Sequence, residues 1–181
     1  MERIWLANYP AGVPADIDPD IFSNVDALMT RSFKAHAERP AFAFMGHKTT
    51  YAQWNAQSAA IAAYLQSLGL KKGDRVALMM PNVPQYPAAV AAVLRAGLVV
   101  VNVNPLYTPR ELEHQLKDSG ASAIIILENF AHTLQQVLAH TVVRHVVVAN
   151  MGETLGFPLR PIVNYVVRHK KKLVPPWSLP G

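Results

Sequence analysis

The sequence predicts an α/β protein of three layers, a mostly parallel sheet flanked by helices, with a small N-terminal β-hairpin. Three observations predict it. Short apolar runs at Val76–Met80, Leu98–Val103, Ala123–Leu127 and His145–Ala149 alternate with helical patterns, so the strands need crossover connections and pair in parallel. The runs are nearly continuous in aliphatic residues rather than alternating, as strands covered on both faces are. The helices between them carry their own start and stop residues.

Taken in order, residues 1–22 contain Pro10, Pro14 and Pro19 among scattered Asp, which reads as an irregular surface arm anchored by Trp5, Leu6 and Tyr9. Asn24 caps a helix over Val25–Ala37 with Leu28, Met29 and Phe33 inward, and Arg39-Pro40 ends it. Ala41–Met45 and Lys48–Tyr51 flank Gly46-His47, a two-residue link with Gly first that predicts a type II′ hairpin. Thr50 then caps a long helix with Gln53 at the third helical position. Ile61, Tyr64, Leu65 and Leu68 form its apolar stripe, Gly69 stops it, and its alanines (Ala56, Ala59, Ala60, Ala62, Ala63) suggest close packing. After the strand Val76–Met80, Pro81-Asn82 breaks the chain and a helix runs from about Pro84 to Ala96.

The most informative stretch is Ala96–Gly120. Leu98 to Val103 reads as a buried strand, ended by Asn104-Pro105. Thr108 supplies a helix N-cap, Pro109 takes the first helical position, and Glu111 stands three residues after the cap to complete a capping box. Leu112 and Leu116 face inward, Glu113 and Lys117 pair outward, and Gly120 closes the helix. A strand at Ala123–Leu127, a helix over Ala131–Ala139 and a strand at His145–Ala149 complete residues 23–150 as one α/β unit. Residues 151–181 read as a loop and a basic amphipathic tail. Pro161 starts a helix whose Ile162, Val163, Val166, Val167, Leu173 and Val174 gather on one side, with Arg160, Asn164, Arg168, Lys171 and Lys172 on the other.

Composition narrows the function. There is no cysteine, so disulfides, thiolate metal sites and a Cys nucleophile are excluded. The net charge of +5 invites a nucleic-acid reading, but of the seventeen Lys and Arg five lie from Leu159 onward, leaving twelve to match the twelve Asp and Glu. The body is therefore neutral and lacks the footprint of a phosphate-backbone binder. The first residues lack the layout of a signal peptide, and no apolar run reaches the length of a membrane span, which predicts a cytoplasmic protein. No histidine pair has metal-ligand spacing, no G-x-S-x-G or G-x-G-x-x-G occurs, and no acid pair is close. Catalytic, cofactor-binding and metal residues are accordingly predicted as none. His114 and His132 read as helix residues, and His140 and His145 as surface residues.

Trp5…Tyr9-Pro10-Ala11, Gly73-Asp74-Arg75-Val76-Ala77-Leu78-Met79-Met80-Pro81-Asn82, Leu94-Arg95-Ala96-Gly97, Asn104-Pro105-Leu106-Tyr107-Thr108-Pro109-Arg110-Glu111-Leu112-Glu113-His114-Gln115 and Asn129-Phe130-Ala131-His132 resemble, in order, the N-terminal subdomain of the adenylate-forming acyl-CoA synthetases. Within that family the resemblance is to bacterial long-chain fatty-acid–CoA ligases. It implies a parent enzyme that uses ATP and Mg²⁺ to convert a long-chain fatty acid to an acyl-adenylate, releases pyrophosphate, and passes the acyl group to coenzyme A. The family's Ser/Thr/Gly-rich phosphate loop, adenine contacts and C-terminal domain lie downstream of the matched region. The expectation is therefore an N-terminal fragment of a larger domain, a scaffold that binds none of these ligands alone and partners the remainder of the enzyme.

Tyr107, Thr108 and Glu111 follow a strand's carboxyl end, where open α/β sheets place ligands, and are candidates for a cleft wall; the competing role for Thr108 and Glu111 is the cap itself. The tail residues Ile162, Val163, Val166, Val167, Arg168, Lys170, Lys171 and Lys172 form a candidate face that either docks on the rest of the enzyme or lies on an anionic membrane, which would place the protein peripherally on the inner face of the plasma membrane. Apolar surface that the missing remainder would cover also predicts a homo-oligomer. Two competing readings stay open: a membrane-surface or partner-binding module without ligase activity, and a small nucleotide-binding α/β protein.

Overall fold

A computed structural model describes residues 2–179. A two-stranded antiparallel hairpin, β1 (Pro40–Phe44) and β2 (His47–Thr50), stands apart from a four-stranded sheet of β3 (Arg75–Met79), β4 (Val99–Asn102), β5 (Ala123–Leu127) and β6 (His145–Ala149). The sheet order is β4-β3-β5-β6, and each described pairing is parallel. Helices α1 (Val25–Ala35), α2 (Tyr51–Ser67), α3 (Gln85–Arg95), α4 (Pro109–Ser119), α5 (Ala131–Val137) and α6 (Leu159–Tyr165) supply the other layers.

The layers follow from the two-residue period of the strands. Val76, Leu78, Ile125 and Leu127 point to one face and pack with Leu65 of α2 and Ala89 and Val93 of α3. Ala77, Met79, Ile124 and Ile126 point to the other and pack with Leu112 and Leu116 of α4 and Leu134 and Val137 of α5. Outside the first layer, Met29 and Phe33 of α1 close on Ala91, with Trp54 edge-on to Phe33 at 5.0 Å between ring centres. Since β3 connects through α3 to one side and β5 through α5 to the other, the sheet is doubly wound, with its switch point between β3 and β5.

Both capping boxes form: Thr50 with Gln53 begins α2, and Thr108 with Glu111 begins α4. Gly120 ends α4 at φ +60, and the strands at Ala123–Leu127 and His145–Ala149 have the predicted bounds. Other expectations are corrected. The Leu98–Val103 run, expected to be covered on both faces, is an edge strand with Val99 and Asn102 exposed; the doubly covered strand is β5, buried at all five residues. The hairpin loop is Met45-Gly46, with φ +49 and +80, and its two left-handed residues make it type I′ rather than type II′. The first helix ends at Ala35, and Leu28 is exposed. On α2, Tyr64, Ala56, Ala59, Ala60 and Ala63 are exposed and only Ala62 of its named alanines is buried, because one layer of contacts does not encircle the helix. The arm makes two short 3₁₀ turns, Ile4–Asn8 and Pro19–Ile21, joined by Arg3–Asp16; Trp5 and Tyr9 are exposed and do not anchor it. Met1 of the arm and Pro180 and Gly181 of the tail lie outside the described residues.

The tail helix starts at Leu159, two residues before Pro161, and continues as a π-helical turn, Val166–Lys170. It folds back on the body. Arg168 donates from Nε (2.9 Å) and Nη2 (2.6 Å) to Oε2 of Glu128, which is 1% exposed, and Val167 beside it is buried. Arg168 stays exposed on the face assigned to it, but its guanidinium is not merely solvated, because a carboxylate buried at the end of β5 demands a partner.

Two measurements check this packing. A Cβ on Gly120 would stand 2.7 Å from Nη2 of Arg75, which donates to the Ser119 and Gly120 carbonyls, in a left-handed backbone. Gly120→Ala is expected to lower stability to urea by about 1–2 kcal/mol; an unchanged midpoint contradicts this role. Arg168→Met is expected to cost about 1–3 kcal/mol by leaving Glu128 buried and unpaired. Adding Glu128→Met should restore part of that loss, whereas a double variant weaker than Arg168→Met shows that the pair is not what holds the tail.

Candidate functional site

The carboxyl ends of β3 to β6 form the edge at which a doubly wound sheet places its ligands, and polar groups gather there. Each strand end carries one. After β3, Gln85 opens α3 and donates from Nε2 to the Asn150 carbonyl at 2.7 Å. At the end of β4, Asn102 accepts from the Tyr86 hydroxyl at 2.8 Å through Oδ1, and from Nε2 of Gln115 at 2.8 Å through its carbonyl. Past β5, Glu128 holds Arg168, and Asn129 donates from Nδ2 to the Leu173 carbonyl at 2.9 Å. Beyond β6, the Asn150 Oδ1 accepts from Nδ2 of Asn164 at 2.6 Å, while Oδ1 of Asn164 accepts from the Gly152 N–H at 2.7 Å. These bonds run from helix to strand end and from tail to strand end: the edge is stitched together by its own polar residues.

The switch point itself lies between Met80-Pro81-Asn82 and Glu128-Asn129, and Arg168 and Leu173 of the tail reach the β5 side of it. The Glu128 carboxylate, by hydrogen bonding, raises the Arg168 guanidinium above its already high value.

The predicted cleft-wall residues sit in the turn after β4. Tyr107 is half-buried and packs on the core beneath α4. Glu111 Oε2 accepts from the Thr108 N–H at 2.9 Å and the Thr108 hydroxyl at 2.7 Å, while the Glu111 N–H donates to Thr108 Oγ1 at 3.4 Å. The Thr108 N–H first, and its hydroxyl second, hold the Glu111 carboxyl below the usual carboxylate range. Lys117, by its hydrogen bond, lowers Glu113 in the same way. Thr108 and Glu111 therefore face each other, and Tyr107 alone of the three is not engaged by the cap.

Of the tail residues, Val167 is buried and Arg168, itself exposed, reaches back to Glu128; Ile162, Lys170, Lys171 and Lys172 are exposed and Val163 and Val166 half-buried. The structure does not bring these residues near Tyr107 through any hydrogen bond among the described residues. Sequence reasoning missed Gln85, Asn102, Glu128, Asn150 and Asn164. A signal existed for Glu128: an acid immediately after a fully apolar strand is carried inward by that strand and needs a donor. Nothing comparable marks Asn150 or Asn164. His140 Nδ1 lies 3.7 Å from Glu113 on the surface, and His132 Nε2 lies 3.3 Å from the Thr133 hydroxyl.

The described residues contain no group of three or more His, Asp and Glu side chains that could hold a metal ion, and no helix long and apolar enough to cross a membrane. Known proteins share both sequence and fold with this chain. Residues 29–173 match the family described as AMP-binding enzyme. A long-chain-fatty-acid–CoA ligase of Yersinia pestis is 56% identical over 181 residues, covering 99% of this chain and 32% of the relative. One of Bacillus subtilis is 34% identical over 172 residues, covering 95% and 30%. The chain thus spans about a third of the length of the curated relatives it matches. Among solved structures, a long-chain-fatty-acid–CoA ligase (FadD1) from Archaeoglobus fulgidus superposes with a TM-score of 0.66 at 25% identity, over 78% of this chain and 30% of that one. The N-terminal domain of FACL13 from Mycobacterium tuberculosis superposes at 0.62 and 25% identity, over 71% and 34%. With the doubly wound sheet and the turn after β4 both inside the matched residues, this chain belongs to the AMP-binding enzyme family and is similar over its length to the N-terminal part of its long-chain fatty-acid–CoA ligases.

Proposed function

We propose that this chain is the N-terminal scaffold of a long-chain fatty-acid–CoA ligase, which joins a fatty acid to coenzyme A through an acyl-adenylate at the expense of ATP. The observation that carries the reading is the stitched edge: the polar side chains at the sheet's carboxyl ends bond one another and so build a rigid wall. Its role in catalysis is to position, by holding the cleft's side in a fixed geometry, the reactants that the rest of the enzyme binds. ATP, Mg²⁺ and coenzyme A do not fit the residues present. Glu111 is turned to its own helix cap, Glu128 to Arg168, and no glycine-rich loop opens a helix to cradle phosphate. These ligands belong to the parent enzyme, and their contacts to the family's downstream segments. Tyr107 lines the cleft beside the capped turn.

A second reading concerns location. Phe157 (92% exposed), Ile162 (53%) and Tyr165 (55%) stand open beside Arg160, Lys170, Lys171 and Lys172. Exposed apolar groups interleaved with cations suit the surface of an anionic bilayer on the cytoplasmic side, so the tail brings the ligase to where fatty acid arrives.

The chain incubated with palmitate, ATP, Mg²⁺ and coenzyme A is expected to form no acyl-CoA by mass spectrometry; turnover would overturn the scaffold assignment. Thr108→Val is expected to destabilise the chain by about 1 kcal/mol and Thr108→Asp to retain the cap; equal stability of the two variants argues against a structural Thr108. Lys170→Glu, Lys171→Glu and Lys172→Glu together, with Arg168 kept to hold the tail, should abolish sedimentation with phosphatidylserine vesicles at low salt. Binding that survives the three substitutions removes the membrane reading.

A further inference from the structure

On the α2–α3 face of the sheet, a groove of about 370 Å³ opens between α2, α3 and the outer strand β6 and runs up to Gln85 at the carboxyl edge. Among the described residues β6 pairs with β5 alone, so its other side is open. Ala60, Ile61, Ala89, Ile125 and Val147 give the groove apolar walls. Three polar side chains in those walls each keep a buried atom without a hydrogen-bond partner: the Gln57 amide, Oε1 of Gln85 and Oγ1 of Thr154. Gln85 is 8% exposed. Its amide orientation is settled, because the Asn150 carbonyl can only accept and therefore takes Nε2, leaving Oε1 as the free atom. Glu153 adds a carboxylate at the exposed rim, and no Lys, Arg or His lines the groove.

Polar atoms left unpaired in an apolar wall are costly, and the Gln85 oxygen together with the rim carboxylate selects a cationic donor. Of the cationic side chains, lysine matches the set: its ammonium has three donors and no acceptor, and its four-carbon stem takes apolar walls. We propose that this groove is the docking site for a lysine of the longer ligase polypeptide, inserted with its stem along Ile61 and Val147 and its ammonium among Gln57, Gln85 and Thr154. The proposal rests on the reading of this chain as about a third of a larger ligase, the fraction of its relatives that it spans. It is separate from fatty-acid recognition, since an acceptor-lined groove with a rim carboxylate repels a carboxylate ligand.

The test is titration of the ¹⁵N-labelled chain with n-butylamine, a copy of the lysine side chain, read at the side-chain amide resonances of Gln57 and Gln85. Saturable shifts with a midpoint on the order of 1–10 mM are expected. Butyrate should give none, and 1-butanol a midpoint at least several-fold higher. Gln85→Leu and Glu153→Gln should each weaken the amine several-fold. Since Gln85→Leu also removes the bond to Asn150, Thr154→Val is the control: its hydroxyl has no partner in the fold, so the protein should stay folded while the midpoint rises several-fold. The proposal is overturned if butanol or butyrate shifts the same amides as strongly, if Thr154→Val binds the amine like the parent chain, or if the shifts follow protein concentration, which would place a second copy in the groove. The titration needs no turnover, so its failure leaves the ligase reading standing, and acyl-CoA formation by the chain leaves the titration unchanged.

Discussion

The constraint on which the structure depends is the burial of β5. Ala123, Ile124, Ile125, Ile126 and Leu127 are each at most 5% exposed, so both faces of the strand must be covered by helices. Local chain sense then determines which helix goes where. α4 leads from the edge strand β4 across one face to β5, and α5 leaves on that same face for β6, which commits α2 and α3 to the other. Strand order and layering are one solution to one packing requirement.

Burial of β5 has an electrostatic consequence at its end. Glu128 follows directly, and the strand carries its carboxylate inside, where an unpaired charge is untenable. Arg168, forty residues later, supplies the charge, and with it the tail becomes part of the body. Oε2 takes both guanidinium bonds, and the pair lies beside the crevice where sheets of this winding hold ligands. Both the tail residues Arg168 and Leu173 and the polar stitching of the strand ends lie within the residues that match the AMP-binding family.

Local chemistry made much of this legible. The strands Ala123–Leu127 and His145–Ala149, and both capping boxes, were readable because a bounded apolar run or a Thr followed three residues later by Glu or Gln contains its own explanation. Pairing order was not, because nothing within Leu98–Val103 says that it has a neighbour on one side only. The Met45-Gly46 turn was misplaced by one residue since Gly46 suits either link, and cross-strand register decides. The tail's periodicity announced an apolar side without saying what covers it. Arg168 looked like its basic neighbours, and only the position of Glu128 separates it from Lys170, Lys171 and Lys172. The cleft-wall candidates were legible as a cap, and the helix-to-strand bonds of Gln85, Asn102 and Asn150 were not, since each joins residues distant in sequence.

Native-state hydrogen exchange of this chain tests the central claim, that a doubly covered β5 and the tail clasped to its end form one folded wall. The account predicts the slowest exchange in β3 and β5, faster exchange in β4 and β6, and measurable protection of Ile162–Lys170 that is lost in Arg168→Met. Tail amides that exchange at the rate of unstructured peptide, or a β5 no slower than β4, would contradict it.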